Sequence, residues 1–237
     1  MADRKVYAMA VAPHPFDNDM GLGGTVARWV REGKDVVYVI CTNGDKFSMD
    51  PAVQPEELAI ARRQEQLAAA KILGVKEVVF LGHPDLTLEY TPALRNELLG
   101  LVLKYRPEVI TTNDPYYRAQ GYFSSGDHRN AGQATLDVVW PYILAPGTYR
   151  HLIEPGYQLH KIKEVLMWQT ENANHTEDIT ETLELKIEAI GCYKTQMLEP
   201  SDSQFAERLR ERASKLAEGK GYKYGEAFHR VEPLQRL

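Results

Sequence analysis

Over its first two-thirds the chain alternates short apolar runs with amphipathic stretches, and no other feature constrains its fold as strongly. Val6–Ala12 and Val36–Thr42 are continuous apolar runs, the pattern of strands covered on both faces. Val78–Leu81 and Val109–Thr112 repeat the signal. Helical patterns lie between them. Leu22, Val26, Trp29 and Val30 share one face of Gly21–Glu32, and Pro55 opens a long helix to Leu73. Leu94, Leu98, Leu101, Val102 and Tyr105 share one face of a helix from Thr91, and a further helix runs from His128 to Trp140. Gly33 and Gly74 stand where two of these helices should stop. The order predicts an α/β fold, a Rossmann-like, doubly wound and mostly parallel sheet with helices on both faces. Right-handed crossovers bring every loop that follows a strand to one edge, where such folds bind ligands.

The last third is less regular. Residues 141–162 read as an excursion rich in proline and glycine. Val165–Trp168 reads as another strand, Leu183, Ile187 and Ile190 mark a helix, and Phe205–Leu216 reads as a charged helix facing solvent. No repeat or linker interrupts the pattern, so residues 1–237 are read as one domain.

Composition narrows the partners. Lys+Arg is 28 against Asp+Glu 33, a net charge of −5, which lacks the basic footprint of a nucleic-acid binder. Cys41 and Cys192 form no paired motif, and Val6–Ala12 is too short for a secretory core, so a cytoplasmic location is expected. No apolar run approaches the roughly 20 residues of a membrane helix.

Two segments carry chemistry. Pro13-His14-Pro15-Phe16-Asp17-Asn18-Asp19 leaves the first strand, and Ser125-Gly126-Asp127-His128 leaves the loop after the fourth. Both belong on the same sheet edge. His14 and Asp17 across a turn, with His128 from the next crossover, make a two-histidine, one-carboxylate set with an open position, the pattern of a catalytic zinc. Other divalent ions such as iron also suit mixed nitrogen and oxygen ligands. Asp127 is placed to orient a ligand or to handle protons. Gly21-x-Gly23-Gly24 lacks nucleotide-loop spacing and reads as close packing where a helix starts.

These residues resemble the LmbE-like, or PIG-L, family of zinc-dependent N-deacetylases. The resemblance rests on Ala12-Pro13-His14-Pro15, Gly21-x-Gly23-Gly24-Thr25 and Thr42-Asn43-Gly44-Asp45 early in the chain. Arg62-x-x-Glu65, Gly82-x-Pro84-Asp85 and Asp127-His128 continue it, with Asp178-Ile179-Thr180 and Tyr224-Gly225-Glu226-Ala227-Phe228 later. It implies a zinc held by His14, Asp17 and His128, a sugar-like N-acylated small-molecule substrate contacted at Arg62 and Asp85, and a homo-oligomer. The family's usual first motif is His-Pro-Asp-Asp-Glu, whose first aspartate is the general base; here that position is Phe16, and Asn18 replaces the glutamate. In the second motif, His-Pro-Asp-His, the first histidine is replaced by Ser125.

The ligands therefore persist while two proton-handling positions are changed. The first reading is a deacetylase with relocated acid–base groups: Asp127 first, then Asp19, Asp114, His83 or His175. A second is a hydratase or lyase acting on a small unsaturated acid, drawing on Arg62, Arg63, Arg118 or Arg129. A third is a non-catalytic, metal-binding protein. Phe16 would then form a ligand wall with Tyr116, Tyr117, Tyr122 and Phe123.

Overall fold

The computed structural model describes residues 5–48, 50–119, 122–153, 158–196 and 203–234. The element order is β1 (Ala8–Ala12), α1 (Asp17–Arg31), β2 (Val36–Thr42), α2 (Pro55–Leu73), β3 (Glu77–His83), α3 (Pro92–Tyr105) and β4 (Val109–Asn113). A small hairpin of β5 (Arg118–Ala119) and β6 (Tyr122–Phe123) precedes α4 (Gly126–Val139). Then come β7 (Glu164–Trp168), β8 (His175–Asp178), α5 (Leu183–Ile190), α6 (Ser203–Leu216) and β9 (Gly225–Val231).

The seven-stranded sheet has the order β3-β2-β1-β4-β7-β9-β8. β1 pairs in parallel with β2 and β4, and the parallel pairing extends to β3 on one side and β7 on the other. β9 runs antiparallel to both neighbours, so one end of the otherwise parallel sheet is mixed. The chain moves outward from β1 to β3 and then crosses back to place β4 on the other side of β1. That reversal opens a crevice beyond the carboxyl ends of β1 and β4.

Alternation along β1 and β2 assigns the two faces. Met9, Val11, Val37, Val39 and Cys41 point into a core closed by α3 and α4. Ala8, Ala10, Ala12, Tyr38 and Ile40 point to the other side, under α1 and α2. Three alanines on that face let α1 lie close to the sheet. The glycines of α1 work in the same sense: a Cβ on Gly21 would stand 2.5 Å from the Trp168 ring, and one on Gly24 would stand 2.9 Å from Ile179.

Most elements lie within a few residues of their expected positions. Thr91 caps α3 by accepting the Leu94 N–H, and Gly74 closes α2 with φ +77°. The excursion at 141–162 contains three short 3-10 turns between Tyr142 and Leu152, and its residues 154–157 lie outside the described residues. Two expectations are corrected. β8 and β9 form strands where none was foreseen, because their short, polar-interrupted sequences carry no clean period. α6 does not simply face solvent: Leu209 and Ala213 are buried on its inner side.

Candidate metal centre and its cavity

The turn after β1 places His14 and Asp17 together. The backbone N–H of His14 donates to Asp17 Oδ2 at 3.0 Å, and His14 Nδ1 stands 2.9 Å from the same oxygen. His128, on the first turn of α4, brings Nε2 to 3.6 Å from Asp17 Oδ2. One ligand atom from each of the three lies within 4.8 Å of the others.

The remaining ring nitrogens are held from behind. His14 Nε2 faces Asp85 Oδ1 at 3.0 Å and Asp127 Oδ2 at 3.2 Å. His128 Nδ1 lies 2.9 Å from Ser125 Oγ, which also accepts the His128 backbone N–H as the cap of α4. A metal-binding imidazole needs its second nitrogen fixed in this way. His14, Asp85 and Asp127 form a second cluster of the same size. Its carboxylates, however, are already occupied: Asp127 accepts the Leu86 and Leu88 N–H groups, and Asp85 accepts those of Phe47 and Leu86. Both clusters have donors that could hold a divalent cation, and only His14, Asp17 and His128 include residues that line the neighbouring cavity.

Electrostatics agree. Burial alone would lower the pKa of His14, but Asp127, Asp17 and Asp85 outweigh it and raise it well above the ordinary range. Burial would raise Asp17, yet the facing His128 and His14 rings hold it well below the usual carboxylate range. Both shifts reflect the pairing of imidazole with carboxylate within the cluster.

Asp17 and His128 open onto a cavity of about 460 Å³ whose walls include Phe16, Met20, Trp168 and Leu183. Phe16 caps α1 with φ 91°, a left-handed conformation uncommon outside glycine. Its N–H donates to Gln66 Oε1 at 3.0 Å, and its ring meets Tyr193 edge-on at 5.2 Å. Gln66 in turn donates to Asp19 at 3.0 Å, and the Tyr193 hydroxyl donates to the same carboxylate. Burial pushes Asp19 up to about 6 against those bonds. Asp19 thus supports Phe16 from beneath and does not line the cavity.

The other expected residues are placed as follows. Arg62 is buried, donates to the carbonyls of Gly44 and Phe47 at 2.5 and 2.6 Å, and lies 3.7 Å from Asp85. Neither Arg62 nor Asp85 lines the cavity; they stand behind His14. Asp114 is bonded to Thr170, His83 to Glu97 and His175 to Glu177. Arg63 lies over the Phe80 ring and Arg129 donates to the Ser124 carbonyl. Arg118 borders a separate hollow beside Tyr116, and Tyr117 touches both cavities. The side chains of Tyr122 and Phe123 lie outside the described residues.

The sequence reading assigned no role to the pair at the back of the cavity. α1 breaks at Leu22 (φ −146°, ψ 19°). Lys186 of α5 donates to the freed Met20 carbonyl at 2.7 Å and to Glu226 of β9 at 2.6 Å. Glu226 accepts the Gly24 and Thr25 N–H groups and the Thr25 hydroxyl. The signal was a glutamate inside the apolar Gly225–Phe228 segment, a buried charge that requires a partner.

Residues 9–139 match the PIG-L family, described as GlcNAc-PI de-N-acetylase. The chain belongs to this family. Among PIG-L relatives it is 31% identical to a diacetylchitobiose deacetylase from Thermococcus kodakarensis, over 94% of this chain and 82% of that protein. It is 27% identical to the 1D-myo-inositol 2-acetamido-2-deoxy-alpha-D-glucopyranoside deacetylase of Mycobacteroides abscessus, covering 82% of each. The N,N′-diacetylchitobiose deacetylase from Pyrococcus horikoshii, solved with an inhibitor, superposes with a TM-score of 0.87 at 29% identity, over 95% of this chain and 84% of that one. The 4-carboxy-2-hydroxymuconate hydratase from Pseudomonas putida shares the fold, with a TM-score of 0.79 at 21% identity over 98% of each chain. The Thermococcus, Mycobacteroides and Pyrococcus proteins are each named as deacetylases, and so as amide hydrolases.

Proposed function

We propose that this chain is a metal-dependent N-deacetylase acting on an N-acylated, sugar-like small molecule, with zinc as its metal and iron as the alternative the donor set would accept. The observation that carries the reading is the His14–Asp17–His128 triangle, whose two imidazoles are held from behind and whose Asp17 and His128 line the cavity. A divalent metal bound there supplies Lewis acidity toward an amide carbonyl and toward water. Asp127 and Asp85 act as positioning residues that fix the His14 ring, and Arg62 braces Asp85. Phe16 forms a dry wall beside Asp17, where its relatives' motif carries the general base. Of the carboxylates among the described cavity residues, Asp17 belongs to the triangle and Glu226 is bonded to Lys186 and Thr25. Proton transfer therefore falls to solvent or to the substrate, and turnover is slow.

The test is elemental analysis of protein purified without chelator, together with release of acetate from N,N′-diacetylchitobiose. About one zinc or iron per chain is expected, lost in His14→Ala. A chain that neither carries nor takes up metal on titration would overturn the reading. Ser125→Ala is expected to weaken metal binding by about 10- to 100-fold, measured by chelator competition. Ser125→Thr, which keeps the hydroxyl, should retain most of the affinity.

A further inference from the structure

We infer that Arg212, on the α6 wall of the cavity, receives an anionic group, carboxylate or phosphate, carried by the same molecule whose amide the His14–Asp17–His128 cluster receives. The inference rests on the deacetylase reading and names the substrate class within it.

The charges that line the cavity among the described residues are mostly satisfied. Lys186 and Glu226 neutralise each other at 2.6 Å, and Asp17 lies between two imidazoles. Arg212 alone lines the cavity with no ion pair or hydrogen bond among the described residues. Its own helix does not compensate it. Arg208 stands one turn before it and Lys215 one turn after, like charges at spacings that destabilise a helix. Arg210, on another side of α6, is by contrast paired with Glu184 at 2.7 Å and Glu207 at 3.5 Å, anchoring the helix to α5. Arg212 thus stands as an exposed cation on the α6 wall of the cavity. Beside it, Leu209, Ala213 and Leu216 present apolar surface to the same space. A low-dielectric wall strengthens the field of an adjacent charge. The planar fork of arginine matches carboxylate and phosphate oxygens in paired hydrogen bonds. A neutral disaccharide offers that fork only uncharged hydroxyl and carbonyl acceptors, which bind a guanidinium more weakly than a carboxylate or phosphate does.

The test compares three N-acetylated glucosamine compounds on the metal-loaded, full-length protein and on Arg212→Gln. N,N′-diacetylchitobiose is the neutral probe, N-acetylglucosaminyl malate carries carboxylates, and N-acetylglucosamine 6-phosphate carries phosphate. The wild type is expected to favour one of the acidic compounds over the neutral one in kcat/KM. Arg212→Gln is expected to lower that preference about tenfold, mainly through KM. Raising the salt concentration should shrink the wild-type preference, and Arg212→Lys should recover part of it. The carboxylate and phosphate arms show which anion fits. An identical preference in wild type and Arg212→Gln would overturn the inference. If none of the three is hydrolysed, the deacetylase reading fails on these substrates, and calorimetric binding of the same compounds still decides the point. Acidic compounds that bind the wild type and lose affinity in Arg212→Gln would support the site. Equal affinity in both proteins, or no binding to either, would overturn it.

Discussion

Phe16→Asp is expected to raise amide hydrolysis by about 10²- to 10⁴-fold, the usual contribution of a placed general base. The backbone is prepared for the exchange. At φ 91° and ψ −38° the position already has an uncommon positive φ, which the exchange of one L side chain for another leaves unchanged. The bond that fixes it, from the residue's own N–H to Gln66 Oε1, does not depend on the side chain. What is lost is the edge-on contact with Tyr193. What is gained is a carboxylate on the cavity wall next to Asp17. Phe16→Asn makes the same cavity without a proton acceptor and should show no comparable gain. The check is steady-state turnover of an N-acetylated sugar by all three proteins at matched metal content. A metal-loaded Phe16→Asp protein no faster than wild type would show that the missing base is not what limits the chain.

The second large effect concerns stability. Glu226→Ala is expected to cost about 3–5 kcal/mol, because it leaves the Lys186 cation buried without its partner. The Gly24 and Thr25 N–H groups lose their acceptor as well. For a chain of this size that corresponds to a fall in Tm of roughly 6–20 °C. Glu226→Gln keeps the shape and one acceptor and should fall less. Thermal unfolding of the metal-free proteins checks both, and equal Tm values for Glu226→Ala and wild type would refute the assignment.

The parallel half of the fold was legible because its signals are strong. Val36–Thr42 and Pro55–Leu73 appear with the bounds that their apolar run and their proline and glycine ends indicate. That His14, Asp17 and His128 would cluster was legible because they sit in motifs at strand ends. Support residues were not. Nothing local shows that Gln66 bonds the Phe16 backbone from 50 positions away. Ser125 looked like a lost histidine, whereas its hydroxyl holds the His128 ring. Arg62 and Asp85 carry the right chemistry in the sequence, but only the three-dimensional packing shows that they stand behind His14. α6 reads as solvated because charges dominate it, and only three apolar positions on its inner side reveal what it covers.

The mixed end of the sheet also has a consequence for how the molecule comes into being. A ribosome delivers this chain from its amino end at roughly 5–20 residues per second. The strands β1 to β4, and every candidate ligand, emerge well before β9. The acceptor that closes the break in α1 lies 202 positions beyond Gly24. Until β9 slides between β7 and β8, the helix that begins with Asp17 has no anion for its interrupted turn. The nascent protein therefore carries all three candidate ligands before the acceptor that closes the break in α1 has been made.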